Sequence, residues 1–164
     1  QFFANVYLNG LDHFIKHNLK VKYYLRYVDD FVVISHSKSL LEGYKMEINR
    51  FLKAALDLEL HPEKSRIVLL KNGITLLGFR IFYHHRLLKK SNLIKIKRRL
   101  IDFKHKIKEE KASYDKIYSI FEGWVAYSKN ANTFTFKKKI VEQFEKMFPH
   151  EVSSIQVNRW IKNG

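Results

Sequence analysis

The stretch YYLRYVDDFVVIS, from Tyr23 to Ser35, places two adjacent acids inside the most apolar run of the chain. Aromatic and β-branched residues, which favour strands, flank the acids on both sides, and only Asp29 and Asp30 separate the two runs. This pattern predicts a tight β-hairpin with both acids at its tip. Repulsion and desolvation oppose such a placement unless a turn exposes the carboxylates or a cation compensates them.

The composition favours a nucleic-acid partner over an acidic small molecule. The 164 residues contain 31 Lys plus Arg against 16 Asp plus Glu, a formal charge of +15, with 15% aromatic residues. Ribosomal-type structural proteins and membrane-surface binders are also basic, so charge alone leaves both open. The absence of Cys excludes disulfides and zinc thiolates.

No apolar run reaches the roughly 18 residues of a membrane span, and no signal-peptide pattern opens the chain. We therefore expect a soluble, cytoplasmic protein. The chain begins QFFANVYLNG, without Met and already within an amphipathic pattern. This start predicts that the sequence is a fragment that lacks upstream residues.

The first 90 residues predict an α+β fold with an antiparallel sheet. Apolar spacing predicts a helix over 2–17, and a capping box of Ser39 with Glu42 predicts a second helix that ends near Leu56. LELHPEKSRIVLL, at 58–70, predicts two short strands broken at Pro62. A turn at 71–73 then leads into strand patterns in ITLLGFRIFY and HHRLLKK.

After Ser91 the pattern changes to three helices with short connections, which predicts a small helical bundle. Pro149 is expected to stop the third helix, and one more short helix follows toward Gly164. The change near residues 88–92 is the predicted subdomain boundary. The apolar stripes of the three helices contain Leu93, Ile96, Leu100, Phe103 and Ile107, then Ile117, Ile120, Phe121, Trp124 and Val125, then Ile140, Val141, Phe144 and Met147.

Two carboxylates at a hairpin tip can hold a divalent cation, and Mg²⁺ accepts a few carboxylates completed by water and substrate phosphates. Phosphoryl transfer to a 3′-hydroxyl uses such centres, with two ions about 3.5–4 Å apart. The alternative is an ordinary exposed turn, since Asp is common in turns.

Five segments in order resemble reverse transcriptases. Tyr27-Val28-Asp29-Asp30 resembles the Tyr-x-Asp-Asp signature of the palm, and Leu58–Ser65 is similar to the following loop that carries a lysine. ITLLGFRIF resembles the primer-grip hairpin, and the opening QFFANVYLN resembles the helix behind the nascent base pair. GWVAYSKNANTF, at 123–134, resembles the thumb of group II intron-like and diversity-generating retroelement enzymes, which implies a bacterial or phage origin.

The resemblance implies a partial polymerase palm at 1–90 and a helical thumb at 91–164. It implies RNA-directed DNA synthesis, with an RNA template, a DNA primer, dNTPs and Mg²⁺ or Mn²⁺. In that family a further catalytic Asp lies upstream of the segment that this chain contains, so we expect the isolated chain not to polymerise. The resemblance does not indicate oligomeric state.

The resemblance also implies roles for individual residues. Asp29 and the adjacent Asp30 would be catalytic metal ligands, and Lys64 a cation near the triphosphate that protonates pyrophosphate; the alternative for Lys64 is a solvated loop lysine. Gln1 and Tyr27 would face the nucleotide or template. Leu77 and Gly78 would form the primer grip, although a glycine at a β-bulge needs no ligand.

The helix after Ser91 carries a dense set of cations off its apolar stripe. Such a face suits phosphate contact without sequence readout, and its alternative is an ordinary solvated helix face. Lys137, Lys138 and Lys139 extend this predicted surface. Tyr114, Tyr118, Trp124 and Tyr127 are expected mostly in the core, with base stacking as the alternative. The predicted backbone-binding residues are Lys95, Arg98, Arg99 and Lys106, supported by Lys97, Lys104 and Lys108.

Three other function classes compete with this interpretation. A catalytically silent nucleic-acid-binding module would be basic and aromatic without using metal. A two-metal nuclease would need further acids or His near Asp29, and the sequence there offers none. A DNA-templated polymerase shares the metal chemistry, and only the family resemblance excludes it. The histidines show no metal-ligand spacing.

Overall fold

The computed structural model describes residues 2–162 and places the predicted hairpin in strands β1 (Tyr23–Tyr27) and β2 (Asp30–Ile34). The strands are antiparallel, and Tyr27 pairs with Asp30. The two-residue turn is therefore Val28-Asp29, one residue earlier than the predicted Asp-Asp tip, because Asp30 already belongs to the ladder.

The predicted helix over 2–17 is broken into α1 (Phe2–Tyr7), α2 (Asn9–His13) and a π-helical turn (Phe14–Asn18). Leu8 interrupts the helix with φ −84° and ψ 2°. In the π-helical turn the amide of Leu19 donates to the carbonyl of Phe14, five residues earlier. An α-helix joins residues four apart, so this turn contains one extra residue. The single predicted helix was wrong because apolar spacing does not record such interruptions.

Helix α3 (Lys38–Leu56) ends where predicted but begins differently. Its N-cap is Ser37, whose hydroxyl accepts a hydrogen bond from the amide of Leu40 at 3.2 Å. Glu42 Oε1 instead forms an ion pair with Lys38 Nζ at 3.5 Å. The predicted Ser39–Glu42 capping box was wrong, since the serine two residues earlier already caps the helix.

The core of the first half lies between α2, the π-helical turn and α3. Phe14 and Phe51 stack there with ring centroids 4.3 Å apart. The buried apolar side chains are Leu8, Leu11, Ile15, Val21, Ile48 and Leu52.

The two strands predicted in LELHPEKSRIVLL are not formed. Side chains of α3 satisfy part of this segment's backbone instead: Asn49 Oδ1 accepts from the amide of Leu60 at 3.0 Å, and Lys45 Nζ donates to the carbonyl of Ser65 at 2.5 Å. The strand prediction was wrong because helix side chains, which local propensity ignores, supply hydrogen bonds in place of a ladder.

The predicted second set of strands is confirmed as a three-stranded antiparallel sheet, β3 (Ile74–Leu76), β4 (Phe79–Ile81) and β5 (Arg86–Leu88). A 3-10 turn (Leu70–Asn72) precedes it. Leu77 and Gly78 connect β3 to β4, both with left-handed φ, at 50° and 81°. Positive φ at both central residues is the pattern of a type I′ hairpin turn.

The predicted helical bundle is confirmed as α4 (Lys90–Lys108), α5 (Tyr114–Ser128), α6 (Phe134–Met147) and the short α7 (Ser154–Lys162). Its centre is a face-to-face stack of Phe121 on Phe144, with centroids 3.8 Å apart and both side chains fully buried. Helix α6 ends just before Phe148-Pro149, because the residue that precedes a proline is disfavoured in the helical region.

The antiparallel sheets and helices confirm the predicted α+β class. Compactness divides the chain into two units between Val68 and Leu69. The sheet β3–β5 thus belongs to the same compact unit as the helical bundle. The assignment of 1–90 to a palm and 91–164 to a thumb rests on resemblance to a family. The division into compact units does not test it, so it stays a prediction. None of the described helices is both long and apolar enough to cross a membrane.

Candidate active site

The tip of the β1–β2 hairpin presents both acids to solvent. Asp29 occupies the second turn position and Asp30 begins β2, and both residues are exposed. Within residues 2–162 neither carboxylate has an ion-pair partner. The apolar strands therefore carry the acids without burying them, which resolves the electrostatic conflict in the sequence.

Arg26 of β1 links the turn to the helices beneath it. Its Nε and Nη2 donate to the two carboxylate oxygens of Asp12 in α2, at 2.8 and 2.5 Å. Its Nη1 donates to the turn carbonyl of Val28 at 2.6 Å and to Asn5 Oδ1 of α1 at 3.1 Å. Tyr24 adds a hydrogen bond from its hydroxyl to Asp12 Oδ1 at 2.7 Å. This forked arrangement is the strong, charge-assisted kind.

The protonation states in this network follow from its contacts. Hydrogen bonds from Arg26 lower the pKa of Asp12, and they outweigh the opposing effect of burial. Burial, followed by the hydrogen bond to Asp12, raises the pKa of Tyr24 far above its usual value. The Asp12 carboxylate is therefore charged and Tyr24 is neutral at physiological pH.

Val28 has a left-handed φ of 57°, which is unfavourable for a β-branched residue. The hydrogen bond from Arg26 to the Val28 carbonyl holds the backbone at this position. Strain of this kind persists only where surrounding contacts enforce it, and it concentrates at functional sites. The hydrogen bond from Arg26 thus helps to hold the turn that carries Asp29 in one conformation.

The hairpin tip presents two carboxylates, those of Asp29 and Asp30. Among the described residues no three His, Cys, Asp or Glu side chains come together as a metal-ligand group. Asp12, the acid linked to the turn through Arg26, has its oxygens committed to Arg26 and Tyr24. The chemistry of the tip fits a Mg²⁺ ion held by carboxylates and completed by water or phosphate oxygens.

The other two predicted nucleotide contacts that the structure describes, Lys64 and Tyr27, differ in where they lie relative to the tip. Lys64 lies in an exposed turn after Pro62 and has no ion-pair or hydrogen-bond contact with the hairpin among the described residues. Tyr27 is 52% exposed beside the acids, so its ring is accessible. Gln1 lies outside the described residues.

The predicted primer-grip residues form the β3–β4 turn. A side chain on Gly78 would collide with the Tyr127 hydroxyl and would lie 2.7 Å from Asn92 Nδ2. Asn92 Nδ2 also donates to the carbonyl of Gly78 at 3.1 Å, and the Tyr127 hydroxyl donates to that of Leu77 at 3.3 Å. Packing against α4 and α5 therefore explains this glycine without a ligand, and a primer-grip role stays a prediction.

The basic face of α4 is exposed as predicted, including Lys95, Arg98, Arg99 and Lys106. Lys106 Nζ lies 2.8 Å from Asp102 Oδ2, so the positive charge of Lys106 is partly compensated. Lys138 and Lys139 are also exposed. The expectation for Lys137 was wrong: its side chain is only 2% exposed because it packs into the bundle.

The predicted core position of the aromatic residues on α5 is confirmed. Trp124 is buried, and Tyr114, Tyr118 and Tyr127 pack against the same core. Burial raises the pKa of the Tyr114 and Tyr118 hydroxyls.

Sequence reasoning missed the network of Tyr24, Arg26 and Asp12. The signal was present in part, because residues 24 and 26 occupy the inward face of a strand with period-two alternation, where a charged residue needs a partner. The identity of that partner, fourteen residues earlier on a helix, could not be read from local spacing.

Comparison with known proteins gives one family. Residues 2–81 match the family model described as reverse transcriptase (RNA-dependent DNA polymerase). The matched segment contains the β1–β2 hairpin with Asp29 and Asp30 and extends through β4. A search of curated proteins found no match to the chain. The first half of the chain, residues 2–81, therefore carries a segment like that of reverse transcriptases, enzymes of the nucleotidyltransferase kind.

Proposed function

We propose that this chain contributes the metal-binding hairpin and a nucleic-acid-binding bundle to an RNA-directed DNA polymerase. The observation that carries the proposal is the pair Asp29 and Asp30, exposed at the tip of the β1–β2 hairpin within the matched segment. An RNA template, a DNA primer and dNTPs are the substrates that this family description implies. The resemblance of 123–134 to retroelement thumbs supports a group II intron-like or diversity-generating subtype.

In this proposal Asp29 is the direct ligand of a catalytic Mg²⁺ and Asp30 supports it. The bound ions would supply activation of the 3′-hydroxyl and stabilisation of charge on phosphorus. Arg26, anchored by Asp12, keeps the turn in place through the Val28 carbonyl. A ligand in a two-residue turn between paired strands is more accurately placed than one on a long loop.

Other residues would act on the substrates. Tyr27 and Gln1 would face the nucleotide or template, and Lys64 would approach the triphosphate from its exposed loop. Leu77 and Gly78 would present backbone to the primer strand. The exposed cations Lys95, Arg98, Arg99 and Lys106 would contact phosphates, which gives affinity without sequence specificity.

We expect the 164-residue chain to lack polymerase activity by itself. Its described residues bring two carboxylates to the hairpin tip and no third metal ligand. Mg²⁺-dependent dNTP incorporation by this chain on a primed RNA template would contradict the expectation.

Mn²⁺ titration of the isotope-labelled chain tests the metal site, because Mn²⁺ replaces Mg²⁺ and broadens nearby NMR signals. We expect broadening centred on residues 27–31 that is at least tenfold weaker in the Asp29→Asn variant. Asp115→Asn, which removes an exposed acid from α5, serves as the matched control and should leave the effect unchanged. In the full-length enzyme Asp29→Asn should abolish incorporation and leave template binding largely intact.

The second candidate function is a metal-independent nucleic-acid-binding module. The exposed basic face of α4 favours it, since that face needs no catalytic centre to bind phosphates. A chain that binds an RNA–DNA duplex but shows no Mn²⁺ effect at the hairpin would support this module and contradict the polymerase proposal.

A further inference from the structure

A groove of about 700 Å³ lies beside the start of α6. Its walls come from β5, from the loop between α5 and α6, and from the first turn of α6. Polar and basic residues are prominent among those that line it: Arg86, Lys129, Asn130, Asn132, Thr133 and Lys137. The groove lies within the second compact unit.

The helix end that faces this groove has no cap. The N-cap residue Thr133 makes no side-chain capping hydrogen bond. Its hydroxyl lies 3.5 Å from the carbonyls of Ser128 and Ala131 and donates away from the helix. The first amides of α6, at residues 134–136, therefore lack a capping acceptor, and the positive end of the helix dipole is open to the groove.

Lys137 provides a second and independent observation. Its side chain is 2% exposed, and its Nζ has no hydrogen-bond partner in the part of the chain that the structure describes. Lys137 lies in the first turn of α6 and is one of the residues that line the groove. Burial, together with the nearby charge of Lys129, lowers its pKa. A buried cation without an acceptor is unfavourable, and an anion would relieve it.

We propose that this groove binds a phosphate group, held by the amides of residues 134–136 and by Lys129 over the buried charge of Lys137. A tetrahedral anion with several acceptor oxygens matches several convergent donors. Arg86, which is exposed, also lines the groove and adds a further positive charge.

The phosphate source that we favour is the backbone of a nucleic-acid strand, and this part rests on the proposed function. Lys97 of α4 lies with its Nζ 5.8 Å from the ring centre of Phe136, a residue that lines the groove. The basic face of α4 therefore continues to the groove, so that one strand could contact both. A free phosphate shares the same chemistry, and the experiment separates the two sources.

Titration with inorganic phosphate, followed by amide NMR shifts, tests the site in the 164-residue chain. We expect saturable shifts at residues 134–136, with affinity reduced at least tenfold in Lys137→Met. Without phosphate, this variant should melt at a higher temperature than the wild type, since an apolar chain of similar length replaces an unpaired ammonium. Lys116→Met, at an exposed position on α5, is the control and should titrate like the wild type.

Lys129→Gln offers a second variant at an exposed position, so the result does not depend on the folding of Lys137→Met. It should also weaken the phosphate response. Unchanged titration in both variants, or the absence of shifts at 134–136 in the wild type, would overturn the site.

A short RNA–DNA duplex and dimethyl phosphate replace inorganic phosphate in the second arm. Shifts at 134–136 with these diesters, lost in Lys137→Met, support a nucleic-acid strand in the groove. A response to inorganic phosphate alone would overturn that source. If the duplex binds through α4 but leaves 134–136 unperturbed, the groove proposal fails while the proposed function stands.

Discussion

At the residue scale, Arg26 connects the turn that carries Asp29 to helix α2. One guanidinium binds both oxygens of Asp12 and also the carbonyl of Val28, the residue directly before Asp29. The side chain of Arg26 is 9% exposed and that of Asp12 is 23% exposed. Because both charges are largely removed from water, each needs the other, and the position of the turn depends on their pairing.

Replacing Asp12 by Asn should lower the free energy of unfolding by about 2 kcal/mol, because it leaves Arg26 with a neutral partner in a site of low exposure. Chemical denaturation monitored by tyrosine or tryptophan emission would measure the loss. The same variant should weaken the Mn²⁺ effect at the hairpin while retaining Asp29.

The pH dependence of this loss has a definite sign. The folded pKa of Asp12 is lowered, so its stabilisation is complete above the unfolded pKa of about 3.9 and disappears as pH falls through the folded value. The stability difference between wild type and Asp12→Asn should therefore shrink in acid.

The control for Asp12→Asn is Asp102→Asn, which breaks an exposed pair with Lys106 and should cost only about 0.5 kcal/mol. Equal losses in the two variants would contradict the role of Asp12.

At the element scale, the β3–β4 turn is held by side chains of two helices. The hydroxyl of Tyr127 and the amide of Asn92 occupy the space where a side chain on Gly78 would lie. Phe79 packs on the Tyr127 ring with centroids 4.8 Å apart. The turn is therefore attached to the bundle at a position where only glycine fits.

Gly78→Ala should lower the free energy of unfolding by about 3 kcal/mol, because a left-handed φ and a clash with Tyr127 act together. Thermal or chemical denaturation would measure it. Tyr127→Phe in the same chain removes the clashing hydroxyl and should restore part of the loss.

The matched control for that substitution is Gly43→Ala in α3, where an added side chain meets nothing within 4 Å. It should raise stability by up to about 1 kcal/mol, because alanine favours helix. Equal effects at Gly43 and Gly78 would contradict the packing explanation.

At the scale of the whole molecule, the formal charge is +15, and the exposed cations of α4 form a dense basic face. This face predicts nucleic-acid binding that weakens as the salt concentration rises. Replacing Lys95, Arg98 and Arg99 by Gln should reduce the slope of log affinity against log salt for an RNA–DNA duplex by about 2 to 3, near one per phosphate contact. Fluorescence anisotropy across a salt series would measure the slope.

The control removes the same charge from exposed lysines on other helices, at Lys116, Lys146 and Lys162. That variant should change the slope much less. If both triple variants change the slope equally, the binding responds to net charge and not to the basic face of α4.

Much of this protein was readable from its sequence alone. Period-two alternation around the acids predicted the β1–β2 hairpin, and apolar stripes predicted α4, α5 and α6, because these patterns record which face of an element is buried. The motif at Tyr27–Asp30 indicated reverse transcriptases, and the family match over residues 2–81 agrees.

Only the tertiary structure decided features that depend on distant partners. The absence of strands in 58–70 and the burial of Lys137 result from contacts that local spacing does not encode, and apolar spacing does not record the break at Leu8. Sequence alone placed Asp29 and Asp30 near the hairpin tip, since adjacent acids between strand-forming runs have few other places to lie. Asp12, fourteen residues before Arg26, holds that tip through its ion pair with Arg26. The charge of Arg26 on the inward face of a strand is stable only because the fold places the Asp12 carboxylate beside it.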